Sequence, residues 1–340
     1  FKMANIALRN PQFKSVTLGV TENSASCTIK INGTTRYLLT KNRPNTGGFV
    51  AGIITLNFDI SELARDYLEI AYQTNYVAQT IAIETDITTY TLKDAQGTIV
   101  QTLATIEDVG FEAYGTFIEN VNPVVPFRSL PTYLIPPQDP NPFATPTFEI
   151  LVPENESGRL PSINSSGVNA TSYTSSDTSV TNADGVVFTI KRASCSKYGD
   201  GLKIIYINKY GAQQDLWFFL KNSKQIARTN EGYKSNIISY PSDSGATYNK
   251  KDAANKVFNT QAKQSHSLSS GYYPEASNQL FEELLLSEYV WLEVLYNGSL
   301  QVVPVKVKDS SVAFKTQLND RLIQYTMEFE EAFDYINNIR

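Results

Sequence analysis

The stretch A25-S-C-T-I-K-I-N-G-T-T-R-Y-L-L-T40 decides the fold class. Two β-favouring runs flank Asn32-Gly33. Asn-Gly is the strongest short-range hairpin signal, because both residues tolerate the positive φ angles of a tight hairpin turn. The texture extends outward from there. Residues 15–20 alternate apolar and polar, and residues 49–60, 80–87, 88–93 and 98–105 read as further strands. Ser61 before Glu62 predicts a capped helix over 62–72, with Leu63, Tyr67, Ile70 and Ala71 on one face. In the second half, residues 185–192, 202–208 and 214–220 resume the strand pattern between Asp-Gly turn pairs. Residues 274–286 predict the clearest helix, opened by Pro274 and Glu275. Residues 289–296, Asn297-Gly298 and residues 300–308 predict a second hairpin. Pro304 in its second arm predicts an edge position or a bulge, since proline cannot donate to a ladder. Residues 321–330 read as one more strand. The fold class is mainly β: two β-sandwich or barrel-like domains with a few short helices.

Composition agrees. Among 340 residues there are 20 Tyr and 17 Phe, residues that fit a pleated, half-buried surface. The length suits two domains, each large enough for its own core. The expected division is an N-terminal β domain over 1–121, a Pro-rich linker or arm over 122–153, and a β-rich C-terminal domain over 154–340. Nine of the 15 prolines fall in 122–153. Proline biases its predecessor to extended geometry, so this segment reads as stiff rather than floppy. It also carries Phe127, Leu130, Tyr133, Leu134, Ile135 and Phe143, which a free linker has no reason to hold. Those six are interface candidates; a strap packed on its own chain fits them equally. Residues 162–184 hold fourteen Ser, Thr or Asn and read as an exposed loop or polar edge strands.

Chemistry finds little foothold. One His, His266, removes most acid–base and metal options. Cys27 and Cys195 form neither a zinc spacing nor a redox pair. No phosphate loop, dinucleotide fingerprint or nucleophile elbow is present. The cluster Glu328, Glu330, Glu331 and Asp334 reads as a solvated face. The expectation is therefore no enzyme, no cofactor and no metal. A net charge of −5 argues against broad capture of nucleic acid. The basic stretches 203–209 and 250–263, with Tyr206, Tyr210, Tyr248 and Phe258 interleaved, are read first as an outer sheet face. Apolar runs are far shorter than the roughly 20 residues of a spanning helix, and no basic-then-apolar leader pattern opens the sequence, so a soluble protein without membrane contact is expected.

Ile207-Asn208-Lys209-Tyr210-Gly211-Ala212 followed by Asp215-Leu216-Trp217-Phe218-Phe219 resembles a signature of virion tail proteins of bacteriophages infecting Bacteroidetes, an N-[RK]-[YF]-G turn before an aromatic strand. Residues 267–273, 282–287, Val290-Trp291-Leu292, Val303-Pro304-Val305 and Glu328-Phe329-Glu330 extend the resemblance over about 200–340. It implies a structural component of a phage tail or baseplate, a homo-oligomeric ring with other virion tail proteins as neighbours. Which tail part, whether distal ring, hub or adaptor, stays open. Trp217 and Trp291 are expected as core or interface anchors. The competing reading is a carbohydrate- or cell-surface-binding β-sandwich, an adhesin or receptor-binding module.

Overall fold

The computed structural model describes residues 4–20, 22–44, 52–93, 98–100, 106–115, 117, 148–161, 171–182, 185–194, 201–241, 243, 245–296, 298–309, 311–313 and 322–333. The chain is mainly β. It divides into two compact units: Phe1–Arg192 with Tyr206–Asp215, and Ala193–Ile205 with Leu216–Arg340. The division passes through residues 193–216. Of the Pro-rich segment, residues 122–147 lie outside the described residues, while Phe148–Pro153 is a strand.

The first unit begins with β1 (Ala4–Ala7), β2 (Phe13–Leu18), β3 (Glu22–Ile31), β4 (Thr34–Asn42) and β5 (Ile54–Asp59). Helix α1 (Ser61–Arg65) follows, then β6 (Thr80–Lys93), β7 (Thr98–Val100) and β8 (Ile106–Tyr114). One sheet has the order β1-β8-β6-β3-β4, with β7 also on β6, and β2 pairs with β5. The buried residues of both layers share one core, including Ile6, Val16, Leu18, Cys27, Ile29, Phe58 and Ile83. The Asn32-Gly33 hairpin forms as expected, with φ of 49° and 75°. Three expectations change. Residues 80–93 are a single long strand, so no turn separates 87 from 88. Helix α1 stops at Arg65: the amides of Tyr67 and Leu68 bond back three residues, tightening the turn and ending the helix. Its start is held by Asp59, whose carboxylate accepts from the Ser61 amide at 3.0 Å, and Ser61 lies inside the helix rather than capping it.

The unit continues with β9 (Phe148–Pro153), β10 (Gly158–Arg159), β11 (Ser172–Tyr173), β12 (Ser179–Thr181) and β13 (Val187–Ala193). These form a sheet of order β12-β13-β9 and a β10-β11 pair. Strands β14 (Leu202–Ile207) and β15 (Gln213–Phe218) contribute their connecting end, Tyr206–Asp215, to this unit. The Asn208 side chain folds that end: its Oδ1 accepts from the amides of Tyr210 and Ala212 at 3.0 and 3.1 Å. Gln213 grips the backbone of Gln73 through both amide atoms, and Asp215 accepts from Tyr76 at 2.7 Å. Gly211 has φ +81°, and a Cβ there would sit 3.2 Å from the Gly115 backbone. The N-K-Y-G turn is thus a fastening, closed by the Asn208 side chain.

The second unit adds β16 (Asn222–Lys234), β17 (Ile238–Ser239), β18 (Thr247–Tyr248), β19 (Asn255–Ser269), β20 (Tyr273–Pro274), helix α2 (Asn278–Leu286), β21 (Val290–Tyr296), β22 (Ser299–Val307), β23 (Leu322–Ile323) and β24 (Thr326–Glu331). The sheet order is β15-β14-β21-β22-β24-β19-β16. Helix α2 lays Phe281 into an aromatic cluster, 6.3 Å from Phe218, 5.3 Å from Tyr273 and 5.0 Å from Tyr325, while Phe218 also meets Phe329 at 5.7 Å. These are edge-on contacts, the favourable geometry for ring quadrupoles, and each buried ring contributes about 1.5–3 kcal/mol through apolar area. Two further expectations change. The stretch 321–330 is two short strands. Strand β22 is internal, between β21 and β24, and not an edge. Pro304 is tolerated because it faces β24 where that ladder ends: its carbonyl accepts the Ala332 amide, and paired residues run only from Val305 to Val307.

Gly211→Ala is expected to cost clearly more than the ~1 kcal/mol of Gly33→Ala, which has positive φ but open space around it; urea unfolding of the two variants measures the difference. Cys27 is fully buried, and burial pushes its thiol from 9.0 up to about 11. The unfolded thiol therefore ionises first, so stability is intact below pH 9.0 and falls as pH rises toward 11. In a Cys195→Ser chain, a thiol reagent at neutral pH should label Cys27 only after unfolding.

Candidate assembly arm

Strand β24 pairs with β19 only over residues 265–269. Strand β16 pairs with β19 much further, from Asn222↔Leu268 out to Lys234↔Asn255. Beyond Ser265 the two strands therefore continue as a ribbon with no third strand among the described residues. Residues 226–234 alone extend it by roughly 30 Å at about 3.4 Å per residue. The Ser235 amide donates to the Ala254 carbonyl at 2.7 Å, and the smaller β17-β18 ladder carries the ribbon on.

Burial records the same geometry. All of β16 is exposed, and β19 is exposed, Asn259 partly so, from Asn255 until the buried face appears at Ala262. A bulge between Glu231 and Gly232 leaves Phe258 as the extra residue opposite them. Its ring lies 6.1 Å from Tyr233. Ile226, Tyr233, Ile238, Tyr240, Tyr248, Val257 and Phe258 are all exposed along this ribbon, Tyr240 by 74%. Charge is equally uneven. Residues 226–262 hold five Lys or Arg against three Asp or Glu, a net +2 within a chain of net −5. The remainder carries −7.

The root of the ribbon is polar and well held. His266 is buried, with Nε2 2.9 Å from Glu331 Oε1. Gln264, two residues along the same face, reaches both His266 and Glu331 through its amide nitrogen. Lys263 pairs with Glu330 at 3.0 Å and Lys308 with Glu328 at 3.4 Å. The glutamates read as a solvated face are thus divided: Glu328 and Glu330 pair with lysines, Glu331 is drawn into the sheet by His266, and Asp334 lies outside the described residues. His266 meets a carboxylate here, and no hydroxyl nucleophile shares that contact in the described geometry. Among the described residues, no group of three or more His, Cys, Asp or Glu is placed to hold a metal, and no helix is long and apolar enough to cross a membrane.

The sequence-based interface candidates fall elsewhere. Phe127, Leu130, Tyr133, Leu134, Ile135 and Phe143 lie outside the described residues. Trp217 and Trp291 are buried inside the second unit. Trp217 lies under the Lys203 ammonium, which is 5.5 Å from the ring and 2.8 Å from Glu293; Trp291 stacks on Tyr289 at 6.5 Å. Both are core residues here. Reading the sequence missed the ribbon because a strand exposed on both faces has no apolar alternation to detect. Its only signals were scattered aromatics among Lys, Asn, Gln and Thr.

An open hollow of about 600 Å³ lies in the first unit, lined by Asn32, Arg36, Tyr67, Glu69, Gln73 and Gln79 among others. Its polar groups are partly spent: Gln79 bonds the Ala71 backbone through both amide atoms, and Asn32 Oδ1 accepts the Ala82 amide. The Arg36 guanidinium covers the Tyr67 ring at 5.1 Å. No family model matches the chain, and no curated protein or solved structure matches it.

His266→Ala should lower stability by about 1–3 kcal/mol, because it removes one of the two side chains that hold the partly buried Glu331 and leaves Gln264 alone there; chemical denaturation measures the loss, and Glu331→Gln in the same background should recover part of it.

Proposed function

We propose that this protein is a structural component of a phage virion, a tail or baseplate part that works by assembling with copies of itself. The observation that carries the reading is the ribbon. A two-stranded ribbon is at best marginally stable in water on its own, and this one displays aromatic and aliphatic side chains without cover. Such an element gains its worth when another surface closes over it. Other described residues support the same reading: the polar groups at Asn208, at Gln213 and in the His266–Glu331 pair hold strands together. The resemblance of residues 200–340 to phage tail proteins supplies the setting, a virion tail.

The carbohydrate-binding alternative draws on the hollow beside Tyr67. Sugar stacking needs an open aromatic face, and Arg36 occupies one face of Tyr67. Assembly is therefore the better-supported reading. Native mass spectrometry and negative-stain microscopy of the intact chain test it. A closed homo-oligomer of one stoichiometry, seen as rings, is expected. A monomer at micromolar concentration that binds glycans would replace this reading with the alternative.

A further inference from the structure

We infer that the arm seats on the body of a second copy of this chain. The inference rests on the assembly reading above and names the partner of its ribbon. Charge points to that partner. The arm, residues 226–262, holds +2 and the remainder of the same chain −7, so its charge is complementary to the body of another copy. Apolar content sets the class of partner. Exposed Ile226, Val257, Ile238 and the Tyr233–Phe258 pair gain from burial against protein. A nucleic-acid groove would leave the aliphatic residues unused, since its contacts are phosphates and stacked bases.

The ladder adds direction. Strand β16 is the last strand of its sheet, so the backbone groups on its outer side are unpaired within the sheet. Charged side chains on such an edge discourage indiscriminate strand addition. Lys224, Arg228 and Lys234 on β16 thus repel another arm and favour an acidic surface. A basic arm on an acidic body is a heterologous, head-to-tail contact, which closes into a ring when its rotation allows and otherwise runs on as a filament.

The test uses the full chain. In a triple variant, Lys224→Glu, Arg228→Glu and Lys256→Glu reverse the arm's charge at exposed positions. A second variant carries a photo-crosslinking residue in place of Tyr248, which tests the contact with the charges intact. The intact chain is expected to associate at about 0.05 M salt and to weaken roughly tenfold or more by about 0.5 M. The triple variant should be monomeric with an unchanged thermal melt. Mixed with intact chain, it should still be bound, because its acidic body remains. Cross-links from position 248 between isotope-labelled and unlabelled chains should land on body peptides. A triple variant that assembles like the intact chain, or cross-links that land on another arm, overturn the inference and leave the assembly reading standing. An intact chain that stays monomeric at every salt concentration overturns the assembly reading. A monomer that binds duplex or single-stranded DNA through the same three positions assigns the arm to nucleic acid and overturns the inference.

Discussion

Strand β24 ends its pairing at Ser265, and much of the molecule's meaning follows from that limit. Inward of it, β19 is a central strand with neighbours on both sides. Outward of it, the same strand has one neighbour, and its buried face ends after Gln264 and Ala262. Hydrogen bonds between two strands alone do little to offset chain entropy in water, because each exchanges for bonds to solvent. The root therefore has to anchor the ribbon. His266, Gln264 and Glu331 do so at the last point where the sheet is three strands wide, with Lys263–Glu330 beside them. Beyond it, the bulge at Phe258 raises the local twist and turns an aromatic ring against Tyr233.

The body of the second unit is built to carry such a load. Its core is a set of rings meeting edge-on around Phe281, with the Tyr273 hydroxyl donating to the Trp217 carbonyl at 2.7 Å. Burial pushes the Tyr273 hydroxyl well above the ordinary phenol range, so it remains a neutral donor at any physiological pH. The Lys203–Glu293 pair, with Lys203 buried and Glu293 partly so, ties the neighbouring strands β14 and β21 together. A well-packed core and an uncovered ribbon together support the assembly role proposed above.

The sequence was legible wherever local chemistry decides structure. Asn32-Gly33 forms its hairpin because only such residues accept both positive φ angles. Helix α2 was visible through Leu280, Phe281 and Leu284, which are buried as one face. The mainly β fold followed from the same signals. Helix α1 was over-extended because Leu63, Tyr67 and Ile70 do keep helical spacing; the three-residue turns closed by the Tyr67 and Leu68 amides end the helix at Arg65 regardless. Pro304 misled because proline excludes only the side its nitrogen faces, and β22 has a ladder ending there. The ribbon was illegible in principle. Register patterns arise from burying one face, and residues 226–234 bury neither. The Asn208 turn was seen as a motif, but its role as a clasp emerged only from the bonds Gln213 and Asp215 make across some 140 positions.

Hydrogen exchange of backbone amides in residues 226–234 and 255–261 tests the account most directly, measured on dilute monomer and on concentrated chain. The account predicts fast exchange in the monomer, near that of a frayed strand, and marked protection once chains associate, while amides of β21 stay protected throughout. Protection of the ribbon equal to β21 in the monomer, or exchange that stays fast in assembled chains, would contradict it.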